Sequence, residues 1–267
     1  MDWRRSRFTR HHNMLTGKAP ITGPIIDSGR TAGKKVGRKV AGGEIVPVGG
    51  KEFVTVNSNT AQVFSLTDLT GGAASAPQAG DFVMVFVGRQ NTALGTVAVS
   101  SGYTQRYAVD TQDGSGLRNQ HFCFYKRLTA ADTEVTVQQV TGSSEMTVVI
   151  LVFRGVSEAT PFDVADAAYS VVDGGTINPA AITPVTQGAM LVAAGSSGLN
   201  ATVTNFTSPD LDGFRSIFNT INSFKSTTGA GYKAWDGLGP FDPAVWGGGN
   251  TGANGSGSAR TIALRPA

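Results

Sequence analysis

Residues 82–87 read Phe-Val-Met-Val-Phe-Val, an unbroken apolar run. Successive side chains of a strand point to opposite faces, so such a run is stable only where both faces are covered. It is too short for a helix and is bounded by Gly80-Asp81 and Gly88, which suits a central strand. Any fold of this chain must therefore place a layer on each side of it. "MTVVILVF" (146–153) and "MLVAA" (190–194) have the same character. The segments 52–66, 95–110, 117–129 and 133–140 instead alternate in the manner of half-buried strands, and "ARTIALRPA" closes the chain as another. In "LRNQHFCFYKRLT" the alternation puts His121, Cys123 and Tyr125 on one face and Phe122 and Phe124 on the other.

Composition points the same way. Charged residues make up 15% of the chain and glycine contributes 35 residues, a mixture that favours short strands and tight turns over helices. About nine to eleven strands are expected, arranged as an all-β, jelly-roll-like two-sheet β-sandwich over residues 51–267. "SAPQAGDFVMVFV" and "ITPVTQGAMLVAAG" echo each other: a Pro, a short spacer, a Gly, then an apolar strand. With no third copy, the echo predicts two equivalent strands of one sandwich and not a solenoid. The aromatic stretch 206–246 reads as loop with one irregular helix or hairpin, and the glycine-rich 247–258 as a flexible loop.

Residues 1–50 differ in kind. They lack any sustained period, and glycine or proline recurs throughout; the expectation is an extended arm with a short basic helix near residues 3–15. Residues 1–40 carry a charge of +8 from ten cations and two acids, which leaves −5 of the total +3 to the remainder. Such an asymmetry marks an interaction arm. Phosphate neutralisation on nucleic acid is one use for it. Scattered apolar anchors would be wasted on a phosphate backbone, so docking on other proteins is the favoured reading and nucleic acid the disfavoured one. The expected docking residues are Trp3, Arg4, Arg5, Arg7, Phe8, Arg10, Ile25, Ile26, Arg30, Lys34, Lys35, Arg38 and Lys39.

Reaction chemistry finds little to attach to. The lone thiol, Cys123, allows no intramolecular disulfide. The sequence has no G-x-S-x-G elbow, no G-K-[ST] phosphate loop and no HExxH or CxxC pattern. His121 and Cys123 at i, i+2 are a conceivable nucleophile or metal pair, weighed against a buried thiol beside a half-buried imidazole. Asp–Gly pairs in 110–116 and 209–214 suit calcium loops and ordinary turns alike. The aromatic residues Tyr232, Trp235 and Trp246, clustered with Phe241, are candidate glycan contacts, with core packing as the alternative. No catalytic residue, cofactor or metal is expected. No signal peptide opens the sequence and no apolar run is long enough to cross a bilayer as a helix, so synthesis in the cytoplasm and no membrane insertion are expected.

One resemblance adds to this. "FSLTDLTGGAASAPQAGDFVMVFV", "SGYTQR", "FRGVSEATPFDV", "PAAITPVTQGAMLVAAG", "FTSPDL" and the closing "TIALRPA" are similar to a β-sandwich module in virion proteins of tailed bacteriophages and prophages. The likeness covers residues 55–267 and excludes the arm. It implies a virion structural component, either a peripheral capsid decoration protein or a tail or head fibre, and carries over no catalytic residues. The resulting expectation is a non-enzymatic virion protein, pinned to other virion proteins by its arm and assembled as a homo-oligomer, with a trimer as the first candidate. The rival expectations are a carbohydrate-binding module that contacts host-surface glycan and a glycan-degrading enzyme.

Overall fold

The computed structural model describes residues 43–56, 59–130, 132–142, 144–173, 176–199, 203–219, 224–237, 239–250 and 255–267. The arm residues named above, and the helix expected near residues 3–15, lie outside them. Among the described residues the chain forms fifteen strands and no helix. In the first half these are β1 (Val46–Val54), β2 (Gln62–Ser65), β3 (Phe82–Asn91), β4 (Val97–Val99), β5 (Thr104–Gln112), β6 (Arg118–Arg127), β7 (Glu134–Gln139) and β8 (Met146–Arg154). The second half supplies β9 (Ser170–Asp173), β10 (Met190–Leu199), β11 (Val203–Thr207), β12 (Asp212–Phe218), β13 (Lys225–Ala234), β14 (Gly247–Asn250) and β15 (Ser256–Leu264).

Two five-stranded antiparallel sheets form the expected sandwich. Their orders are β1-β8-β3-β6-β5 and β9-β15-β10-β13-β12. Between these sheets the chain crosses once, after β8, so each half of the sequence builds one sheet. Each sheet also carries a small one on its outer face: β2-β7-β4 over the first and β11-β14 over the second. That is why β3 could be apolar on both faces; all ten of its residues are buried.

The two halves repeat one plan. In each, the first strand pairs with the last, the last with the second long strand, that strand with the fourth, and the fourth with the third. The register repeats too. Phe82 lies opposite Arg127 and Phe153; Met190 lies opposite Ala234 and Leu264. This equivalence aligns Tyr125-Lys126 on β6 with Tyr232-Lys233 on β13. The sequence echo at β3 and β10 is the legible remnant of this duplication. Gly80 and Gly188 precede the two strands at φ 88° and 85°, a left-handed turn that favours glycine.

An ion pair recurs with changed wiring. Arg154 ends β8 and its Nε and Nη2 donate to the Asp81 carboxylate, both at 2.9 Å. Its counterpart Arg265 donates from Nε to Asp163 at 3.1 Å. Each Asp also ties down the turn before the long strand: Gln78 N–H donates to Asp81 at 2.8 Å, and Val185 and Thr186 N–H to Asp163 at 2.6 and 3.0 Å. Burial works against the charged form of Asp163, but bonds from Thr186, Val185 and Arg265 outweigh it and hold the carboxyl below its usual range. A carboxyl lowered in the folded state adds stability above its unfolded pKa and loses it as pH falls through the folded value. Asp163→Asn should therefore melt lower than the parent at pH 7. The gap should narrow on acidification below about pH 4, as thermal melts at stepped pH would read.

The inter-sheet core is sorted along its length. At the end where β1 begins, Phe82, Met84, Phe86, Leu151 and Phe153 meet Met190, Val192, Ala194, Ile262 and Leu264. Toward the other end the filling turns polar. Thr147 Oγ1 lies 2.8 Å from Thr228 Oγ1 and 3.2 Å from Ser226 Oγ, bridging the sheets. A Cβ at Gly88 would collide with Thr228 and Ser196, so only glycine fits there.

Four expectations are corrected or narrowed. Of the two alternatives for 206–246, the hairpin holds and the helix does not among the described residues: β12 and β13 pair antiparallel as the third and fourth strands of the second sheet. Residues 247–258 are not one loop, because β14 and the start of β15 fall within them. Strands total fifteen among the described residues, since the small outer sheets add short ones. The sheet also begins at Val46, before Lys51, with Ile45 and Val48 buried in the core.

Candidate functional site

The expected chemistry-bearing pair is packed inside. His121 and Cys123 share the inter-sheet face of β6, and both are fully buried. His121 Nε2 lies 3.3 Å from Tyr107 Oη. Burial, helped by the cation of Arg260, lowers the imidazole to about 3. Burial also pushes the Cys123 thiol well above its ordinary value. Both groups are thus neutral near pH 7, the opposite of an activated thiolate–imidazolium pair.

The acidic loops act as turns. Asp113 Oδ1 accepts from Ser115 N–H and Leu117 N–H, each at 2.9 Å. Asp110 pairs with Arg118. Asp210 Oδ2 accepts from Ala244 N–H at 2.9 Å, and Asp212 lies 3.7 Å from Lys233 Nζ.

The three candidate glycan contacts separate. Trp246 is 1% exposed, so it is a core residue and presents no ring to solvent. Its ring packs edge-on to Phe214 at 4.8 Å and near Phe206 at 5.5 Å. A Cβ at Gly195 or Gly229 would press on this ring, so the glycine-rich strands of the second sheet leave room for it. Tyr232 is half-buried between the sheets, edge-on to Phe153 at 5.7 Å, with its hydroxyl donating to Gly71 O at 3.3 Å.

Trp235 alone of the three lines a surface cleft. It follows the end of β13, and its N–H donates to Ala189 O at 2.9 Å. Its Nε1–H donates to Gly239 O at 3.0 Å, which fixes the indole. The cleft is about 180 Å³, with Leu191, Phe241 and Trp235 as apolar lining and Lys233, Asp236 and Pro240 beside them. Phe241 stood in the aromatic cluster read from the sequence, whereas Leu191 was missed, since nothing local places β10 beside Trp235 and Phe241.

A larger cleft of about 270 Å³ lies on the first sheet, among Leu94, Gly95, Gln105, Asp110, Gln120 and Phe122. Two of its polar groups are engaged within the chain: the Gln120 amide bonds Gly95 N–H and C=O at 3.0 and 3.2 Å, and Asp110 holds Arg118.

The described residues thus form an all-β two-sheet sandwich with a surface cleft lined by Trp235 and Phe241. The chain matches no protein family, no curated protein and no solved structure.

Proposed function

We propose that this chain is a non-enzymatic structural protein of a phage-type particle, in which the sandwich is displayed and the basic N-terminal arm attaches it to other virion proteins. The observation that carries the reading is the division of charge, +8 in residues 1–40 against −5 in the rest. The body supports it. Its sheets are complete from Val46 onward, its one histidine and one cysteine are used as packing, and its acidic loops are used as turns. A rigid body with a separate cationic strap suits attachment, because an extended segment can follow a neighbour's acidic surface while the body keeps its shape. A homo-oligomer, with a trimer as the first candidate, belongs to the same reading.

The test is charge reversal in the arm. Lys34→Glu, Lys35→Glu, Arg38→Glu and Lys39→Glu together should leave the melting temperature of the purified chain unchanged. They should reduce its recovery in purified particles at least about tenfold, a loss of roughly 1.4 kcal/mol of binding. Full recovery of the reversed chain would overturn the reading.

A further inference from the structure

We infer that the Trp235 cleft is a saccharide-binding site that takes one pyranose ring of a neutral glycan. The inference does not depend on how the chain is attached.

The duplication supplies the argument. The residue equivalent to Trp235 in the first half is Leu128, whose N–H donates to Asp81 O as that of Trp235 does to Ala189 O. Leu128 is 3% exposed and shares a cluster with Leu66 and Leu69 from the β1–β3 connection. That connection spans residues 55–81 and includes β2. Its counterpart between β9 and β10 spans only 174–189 and forms no named strand among the described residues. The first-half position is therefore fully covered, whereas Trp235, packed against Ile182, Leu191 and Ala263, stays half-buried at the cleft and carries an indole in place of an aliphatic chain.

The lysines differ in the same sense. Lys126 is committed to Asp132 at 2.7 Å and to Ser101 O at 3.4 Å. Its equivalent Lys233 is more exposed and stands 3.7 Å from Asp212. It can turn its ammonium to hydroxyl oxygens at the cleft. An indole already fixed by its Nε1–H bond offers a flat apolar surface to the C–H face of a sugar without further ordering. Lys233 beside it supplies a hydrogen-bonding group for hydroxyls. A few polar groups beside an apolar floor is the usual composition of a small-ligand site. The larger cleft on the first sheet has no indole in its lining, which is why the inference falls here.

The test is calorimetric titration of the full chain with chitotetraose, maltotetraose and galactotetraose. At least one should bind saturably, with a dissociation constant of about 1 mM or tighter. Trp235→Ala should weaken that binding at least about tenfold. Lys233→Ala, on a more exposed side chain, should weaken it about threefold without moving the melting temperature. If Trp235→Ala fails to fold, Lys233→Ala decides alone. Absence of saturable binding to all three sugars would overturn the inference, as would binding unchanged by the folded variants. Loss of particle attachment on arm reversal would leave this titration unaltered, so the two proposals fail separately.

Discussion

Phe86→Ala is expected to destabilise the body by about 3–5 kcal/mol, the range for emptying a fully buried ring site. Phe86 sits in the middle of β3, laterally between Cys123 and Val149, in the core between the sheets. The facing sheet presents small residues such as Ala194 and Ala230 there, so little from across the sandwich can move into the void. Two residues further along, Gly88 marks where the sheets approach too closely for any side chain. The backbone there resists collapse, and the cavity should stay largely open. Thermal melts should show a fall of roughly 10 °C or more, given the size of the body. Val63→Ser on the exposed face of β2 should stay within about 0.5 kcal/mol. Equal effects from the two would contradict the layered core.

Acidification from pH 7 to pH 4 should remove about 3 kcal/mol of stability through His121 alone. In the unfolded chain its imidazole takes up a proton near pH 6.5. In the folded chain burial, and then Arg260, lower it to about 3. Between those values the unfolded state binds the extra proton, so stability rises with pH at about 1.4 kcal/mol per unit. The contribution is complete above about pH 6.5 and is lost as pH falls toward the folded value. His121→Gln carries no titrating ring and should flatten the curve of unfolding free energy between pH 4 and 6.5. It should cost some stability at pH 7, where the contact with Tyr107 is altered. Urea unfolding at stepped pH measures both. An unchanged slope in the variant would mean that His121 titrates normally and is not enclosed.

Much of the fold was legible because the strongest strands announce themselves locally. Phe82–Val87 is apolar at every position, and that pattern already required layers on both sides. The faces of β6 also followed from alternation, with His121 and Cys123 inward between the sheets and Phe122 and Phe124 against the outer small sheet. β13 was illegible for the opposite reason. Its sequence, "KSTTGAGYKA", has almost no large apolar side chain. It forms a strand because Phe206, Phe214 and Trp246 arrive from elsewhere to lie on Gly229 and Gly231. Burial supplied by distant residues leaves no periodic mark in the strand itself. The duplication showed only at β3 and β10, where a turn glycine and an apolar strand survived in both halves.

The candidate site was half legible. Trp235 and Trp246 look alike in sequence, each an aromatic residue in glycine-rich text. Trp246 is buried because it precedes β14, which folds over the glycine face of the second sheet. Trp235 stays half-buried at the cleft, on Ile182 of the connection before β10 and on Leu191 and Ala263. Neither fact is local. The β1 boundary misled for a related reason. Pro47, Gly49 and Gly50 read as arm, yet they accommodate a bulge in β1 and the close approach of Arg215.

The central claim is the proposal that the basic arm before Val46 holds this protein to its neighbours in a particle. Lysine cross-linking of purified particles, read by mass spectrometry, tests it most directly. Lys18, Lys34, Lys35 and Lys39 should link to other virion proteins, whereas Lys126 and Lys225 of the body should not. Arm lysines linked only to the protein's own body, or particles that lack the chain, would contradict the account.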